Sequence, residues 1–164
     1  MLADHLAPNL AILFCGTAAG HRSAALGHYY AGPGNKFWRL LADTGLTPRR
    51  LRPDEDHLLL GFGFGLTDLA KGVSGMDHEI PKAAFAPLAL AALISRWRPL
   101  AVAFTSLTAA RLGLGDTLLT EGRLPYDPRW PDVALWALQS PSGANAHFTA
   151  RSWQALADWR RGLR

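Results

Sequence analysis

Short apolar runs alternate with amphipathic stretches along this chain of 164 residues. Ala11 to Cys15 (AILFC) is uninterrupted and apolar and is closed by Gly16, the pattern of a buried strand that enters a loop. Asn35 to Ala42 (NKFWRLLA) carries apolar positions at helical spacing, with Asn35 as N-cap and Gly45 as the stop. Leu58 to Leu69 is apolar and rich in glycine and predicts a short strand whose backbone can be approached closely. Pro87 to Trp97 predicts a helix with proline in its first turn and Arg96 and Arg98 near its end. Leu100 to Phe104 then predicts a second buried strand, and Ser106 to Leu112 a short helix. Beyond a loop holding Gly122, Pro125, Pro128 and Pro131, Val133 to Leu138 predicts another strand. A polar loop from Gln139 leads into an amphipathic helix over Arg151 to Gly162, with Trp153, Leu156 and Leu163 on one face.

Strands alternating with helices predict an α/β fold: a three-layer α/β/α sandwich around a mostly parallel sheet. Such sheets bind ligands in the crevice outside the carboxyl ends of their strands. Two loops of small residues fall at such ends, GTAAG after the first strand and SPSGANA after the last. Either loop alone reads as an ordinary glycine turn; their joint placement is what suggests a site that admits a flat ligand.

Nearly half of the residues are apolar, enough for one sizeable core, so residues 1–164 are expected to form a single domain. No run reaches the roughly 18 apolar residues of a membrane span. The first residues lack the basic-then-apolar order of a secretory signal, so a cytoplasmic protein is expected. Cys15 is the one cysteine, which excludes an intrachain disulfide and a four-cysteine zinc or iron–sulfur site. No histidine pair has metal-ligand spacing, and neither a metal nor a cofactor is expected. The net charge is +4 with a pI near 9.7, which suits a polyanionic partner without identifying one. Arginine outnumbers lysine 14 to 3, a bias that phosphate binding and a GC-rich coding sequence would produce equally.

Taken in order, AILFCGTAAG at 11–20, AGPGNKFW at 31–38, GFGLTDLAKG at 63–72 and SPSGANA at 140–146 resemble the mismatch-specific uracil/thymine DNA glycosylases of the uracil-DNA glycosylase superfamily. The likeness covers almost the whole chain. It implies a monomeric DNA repair enzyme that flips uracil, or another deaminated or mispaired base, out of DNA and hydrolyses its N-glycosidic bond by direct water attack. A nucleoid-associated location would follow in a bacterium. The family's first motif is typically GINPG, whose asparagine helps to hold the attacking water; Ala18 stands there and can neither polarise nor orient water. The second motif is typically NPSGLSR, and the differing places hold Ser140, Ala144, Asn145 and Ala146. The leucine wedge is thus shortened to Ala144 and a basic residue is missing at Ala146, for which Arg151 is a candidate replacement.

With the asparagine absent, another polar side chain must serve the pocket, because glycosidic cleavage develops positive charge on the sugar and negative charge on the departing base. Asp68 is the candidate; its bland alternatives are a helix cap or a pair with Lys71. Through the resemblance, Tyr30 is the aromatic that stacks on the flipped base, with Tyr29 as the alternative. Gly16, Thr17, Ala18, Gly20 and Ser23 would line the base pocket, and Asn35 would be N-cap, pocket wall or both. Ser140, Pro141, Ser142, Gly143, Ala144, Asn145 and Arg151 would hold the DNA strand. His21, His28 and His147 fall near the site and read as loop histidines, and Lys71 raises a Schiff-base alternative. Two other readings stay open: a DNA-binding protein of this fold with weakened chemistry, and a small nucleotide-binding module, which lacks a complete phosphate-loop or dinucleotide fingerprint.

Overall fold

The computed structural model describes residues 2–163. Among these residues five strands form one sheet: β1 (Ile12–Gly16), β2 (Phe64–Asp68), β3 (Ala101–Phe104), β4 (Gly122–Arg123) and β5 (Ala134–Ala137). Their order is β2-β1-β3-β5-β4, parallel except for β4, which pairs antiparallel to β5 at one edge. The helices are α1 (His21–Leu26), α2 (Phe37–Asp43), α3 (Pro87–Trp97), α4 (Leu107–Leu114) and α5 (Arg151–Gly162).

Alternation along the strands explains the layers, since successive side chains of a strand point to opposite faces. Ile12 and Phe14 of β1 enter a core with Phe37, Trp38, Leu41, Trp153 and Leu156, from α2 and α5. Leu13 and Cys15 enter another with Leu90, Ile94, Ala109 and Ala110, from α3 and α4. Phe14, Phe37 and Trp153 are fully enclosed, and each such side chain contributes roughly 1.5–3 kcal/mol over its exposed state. The edges Phe14 presents to Phe37 and Phe64 are T-shaped contacts at 5.3 and 6.1 Å, the geometry aromatic quadrupoles favour.

The expected strands at 11–15, 100–104 and 133–138 form within a residue or two of those bounds. Ser106 caps α4 by accepting from the Ala109 amide at 3.0 Å. Three expectations are corrected. The single strand over 58–69 is instead the end of a 3₁₀ segment (Pro53–Phe62) followed by β2, because Pro53 and the acidic run Asp54–Asp56 favour a helical first turn. The helix expected from Asn35 begins at Phe37, and Asn35 caps it from outside, its Oδ1 accepting from the Phe37 amide at 3.0 Å. Leu163 is half exposed and is not on the buried face of α5, which Ala157 completes instead. The short elements α1 and β4 had no periodicity long enough to announce them. Among the described residues no helix is long and apolar enough to cross a membrane.

Candidate active site

The carboxyl ends of β2, β1 and β3 put three residues in one row. Gly16 lies opposite Asp68 in the β1–β2 register, and Thr105 directly follows Phe104, the partner of Cys15. Residues in register on neighbouring strands project to the same face, so Asp68 and Thr105 flank a position with no side chain. Tyr30 fills part of that gap. A β-carbon on Gly16 would lie 2.7 Å from Asp68 Oδ1, 3.2 Å from the Tyr30 hydroxyl and 3.4 Å from Thr105 Oγ1. Three oxygens therefore converge above one glycine, and any larger residue there would have to displace them.

Asp68 is 8% exposed, and among the described residues its carboxylate has no hydrogen-bond partner. Burial is the main cause that raises its pKa to about 6, against the lowering influence of Lys71 and with a further push from Asp4. Lys71 does not pair with Asp68. It pairs with Asp4, whose Oδ1 also accepts from Thr67 Oγ1 at 2.7 Å, so both bland alternatives for Asp68 fall away. Tyr30 shares a 2.9 Å hydrogen bond with Thr105, and burial followed by the charge of Asp68 holds its phenol well above the ordinary range. One face of its ring is stacked on Phe37 at 4.0 Å.

This row forms the floor of a cavity of about 520 Å³. Gly16, Thr17, Ala18, Gly20 and Ser23 line one wall, with Tyr30 and Asn35 beside them. Among the described residues, no backbone or side-chain acceptor is bonded to the amides of Thr17 and Ala18. Ser140 to Asn145 line the facing rim. That rim is anchored from below: Trp153 Nε1 donates to the Gln139 carbonyl at 2.8 Å, and the Gln139 amide donates to Ser152 Oγ at 3.1 Å. It reaches the Gly32–Lys36 loop through a 2.8 Å bond from the Lys36 amide to the Pro141 carbonyl. Gly143 packs against Gly34, backbone on backbone, at a distance where an added β-carbon would sit 3.1 Å from Gly34.

The structure does not bring every candidate here. Arg151 is exposed at the start of α5 and lies outside the cavity lining, as do His28, His147 and Lys71. Tyr29 reaches the cavity but is buried, its hydroxyl bonded to the Ala3 carbonyl at 3.0 Å. His21 is at the rim, 3.4 Å from Glu79. Asn145 spends its side-chain amide on Gln139 and on the Ser140 carbonyl, bracing the loop from within. No motif or periodicity pointed to Thr105, which only the β1–β3 register brings in, or to the Met76–His78 segment, tied over the cavity by a 2.6 Å bond from Thr17 Oγ1 to Asp77. Among the described residues no group of three or more His, Cys, Asp or Glu could hold a metal ion.

The profile of the uracil DNA glycosylase superfamily matches residues 3–161. The chain belongs to this superfamily. Among solved structures it is similar to the solution NMR structure of a candidate uracil DNA glycosylase from Methanosarcina acetivorans, at 20% identity and a TM-score of 0.65, over 99% of this chain and 96% of that one. At that identity the likeness speaks for the fold alone, and the five-stranded, mostly parallel sheet is that of a uracil DNA glycosylase. Membership supports glycosylase chemistry on DNA, and the cavity at the carboxyl ends of β1, β2 and β3 is where an α/β sheet of this kind places its ligand.

Proposed function

We propose that this protein is a monofunctional DNA glycosylase of the mismatch-specific type, acting as a single domain that extrudes uracil or another deaminated base and hydrolyses its glycosidic bond. The observation that carries the proposal is the buried, unpartnered Asp68 carboxylate above Gly16. In relatives of this type an asparagine at the place of Ala18 helps to hold the water, and Asp68 supplies the missing polar group from the neighbouring strand.

Water beside the deoxyribose donates a hydrogen bond to Asp68. As the C1′–N bond lengthens, the carboxylate stabilises the positive charge of the sugar and accepts the proton of the attacking water. The water oxygen bonds to C1′, and the base leaves with the electron pair of the broken bond. The Thr17 and Ala18 amides are oriented donors for the negative charge that develops on the base carbonyls. Tyr30 offers the face turned away from Phe37 to the extruded base. Lys71 is held by Asp4, which favours direct water attack over a Schiff base.

The test is single-turnover cleavage of oligonucleotides carrying uracil opposite guanine, uracil opposite adenine, and uracil in a single strand, read as abasic sites. Asp68→Asn is expected to slow cleavage at least about tenfold with DNA binding nearly intact, since a positioned base contributes about 10²-fold or more. Cleavage by the variant at the parent rate would remove Asp68 from the chemistry. No abasic sites from the parent protein on any of these substrates would leave a DNA-binding protein without the activity.

A further inference from the structure

Tyr30 is one of three non-glycine residues with positive φ among those described, at +51°. A bulky side chain reaches the left-handed region at a cost, and such conformations persist where the surroundings over-determine them. The surroundings of Tyr30 do so from both sides. Ahead of it, the Tyr29 amide donates to Asp56 Oδ2 at 3.1 Å, and the Tyr29 carbonyl accepts from Trp38 Nε1 at 3.0 Å. Behind it, the Ala31 amide donates to Ser23 Oγ at 2.9 Å. Asp56 is 3% exposed and sits in the first turns of the 3₁₀ segment, far from Tyr30 in sequence. Among the described residues, its other hydrogen-bonding neighbour is His28 Nδ1, at 3.3 Å from the same oxygen.

Burying a carboxylate is costly unless it is hydrogen-bonded, and both bonds of Asp56 go to the two residues that precede Tyr30. We propose that Asp56 is a positioning residue: it holds the His28–Tyr29 peptide through the Tyr29 amide while Trp38 holds the Tyr29–Tyr30 peptide and Ser23 the Tyr30–Ala31 peptide, so that three consecutive peptide units are clamped and the left-handed turn that lays the Tyr30 ring along the cavity wall, with its hydroxyl on Thr105, is fixed. The proposal rests on the reading of Tyr30 as the base-stacking residue for its catalytic consequence, but not for the clamp itself. A preset ring contributes to rate because ordering it during base extrusion would otherwise oppose every turnover. The effect of Asp56 should therefore pass through Tyr30 and fall on the chemical step.

The test is a double-mutant cycle on single-turnover cleavage of a single-stranded uracil oligonucleotide at saturating enzyme. Tyr30→Leu and Asp56→Ala are each expected to slow the reaction about tenfold, and the double variant to be within about twofold of Tyr30→Leu alone. Effects that multiply in the double variant would overturn the proposal, because a residue that only supports the fold acts independently of the ring. Asp56→Asn keeps an oxygen for the Tyr29 amide and is expected to stay within about threefold of the parent rate, whereas a loss as large as that of Asp56→Ala would count against the clamp. If Asp56→Ala does not fold, Trp38→Phe, which removes the donor to the Tyr29 carbonyl and keeps an aromatic ring, carries the same cycle. Hydrogen exchange at the Ala31 amide reads the clamp without any activity: Asp56→Ala should speed it by about tenfold or more, and unchanged exchange would refute the clamp. Parent-like cleavage by Tyr30→Leu together with faster Ala31 exchange in Asp56→Ala would retire the stacking role and leave the clamp standing.

Discussion

Asp68 carries a conflict between stability and chemistry. Its folded pKa of about 6 lies above the ordinary carboxylate value of 3.8, so the folded state holds the proton more tightly than the unfolded chain. The stability gained from that proton is complete below pH 3.8 and is lost as the pH rises through about 6. At neutral pH the ionised group is a burden on the fold, and Asp68→Asn is expected to raise the unfolding free energy by up to about 3 kcal/mol at pH 7.5, measured by urea titration. In the proposed mechanism activity runs the other way, because only the anion can accept a proton. The single-turnover rate should therefore drop as the pH falls through about 6, with the residual rate of Asp68→Asn lacking that inflection. A rate flat from about pH 5 to about pH 8, a range that brackets the pKa of about 6, would show that this group does not titrate in the rate-determining step. Gly16 makes the same point through volume. Gly16→Ala would set a methyl group 2.7 Å from Asp68 Oδ1, and is expected to cut cleavage more than about tenfold because misplacing a reacting group by about 1 Å costs about 10²-fold.

At the level of elements, the strand ends and the loops they feed divide the work. β1, β2 and β3 supply the row of Gly16, Asp68 and Thr105, while the 140–145 loop forms the rim. Ala144 is exposed on that rim; in the proposed mismatch-specific reading it stands where those glycosylases carry a leucine that wedges into the base stack. Without the wedge, opening a duplex is harder than accepting a base already unpaired. Ala144→Leu is expected to raise the ratio of duplex to single-strand cleavage several-fold, and an unchanged ratio would dismiss the shortened-wedge account. The elements themselves were largely legible. The apolar runs at 11–15, 100–104 and 133–138 became parallel strands because the helices on both sides leave such strands no exposed face. The 3₁₀ segment was not legible, since Leu58 to Leu60 and Gly61 to Gly63 read equally as the start of a strand; the acidic first turn and the Leu59 side chain buried beneath it decide the outcome.

For the molecule as a whole, the +4 charge acts over the full surface. Binding to DNA is expected to weaken linearly in log Kd against log salt, with a slope that counts the phosphates neutralised, at roughly 0.9 per phosphate for duplex and 0.7 for single strand. A slope near zero in fluorescence anisotropy would separate the charge from DNA binding altogether. The excess of arginine does not by itself locate the contact, because several arginines are engaged elsewhere. Arg49 is bidentate to Glu55, Arg129 grips Asp127, and Arg123 lies against the rings of Tyr126, Trp136 and Trp159. Arg151, the candidate substitute for the missing basic residue, is free of any ion pair among the described residues but stands beyond the cavity lining.

The amino-acid order alone determined what depends on near neighbours: the run lengths that make strands, the capping residue Asn35, the small-residue loops at the strand ends, and the absence of asparagine at Ala18. It also singled out Asp68, because the motifs left a chemical role without a side chain. Packing decided the rest. That Asp68 is unpartnered follows from Asp4 reaching Lys71 across 67 positions of chain, and that it titrates near 6 follows from the burial that the cavity wall imposes. Thr105 joins the site through the register of β3 on β1, and Asp56 reaches the Tyr29 amide because the 3₁₀ segment folds back against it. The physical reason is the same in each case: propensity and capping act over a few residues, whereas desolvation, register and hydrogen bonds between distant segments exist only once the layers have closed.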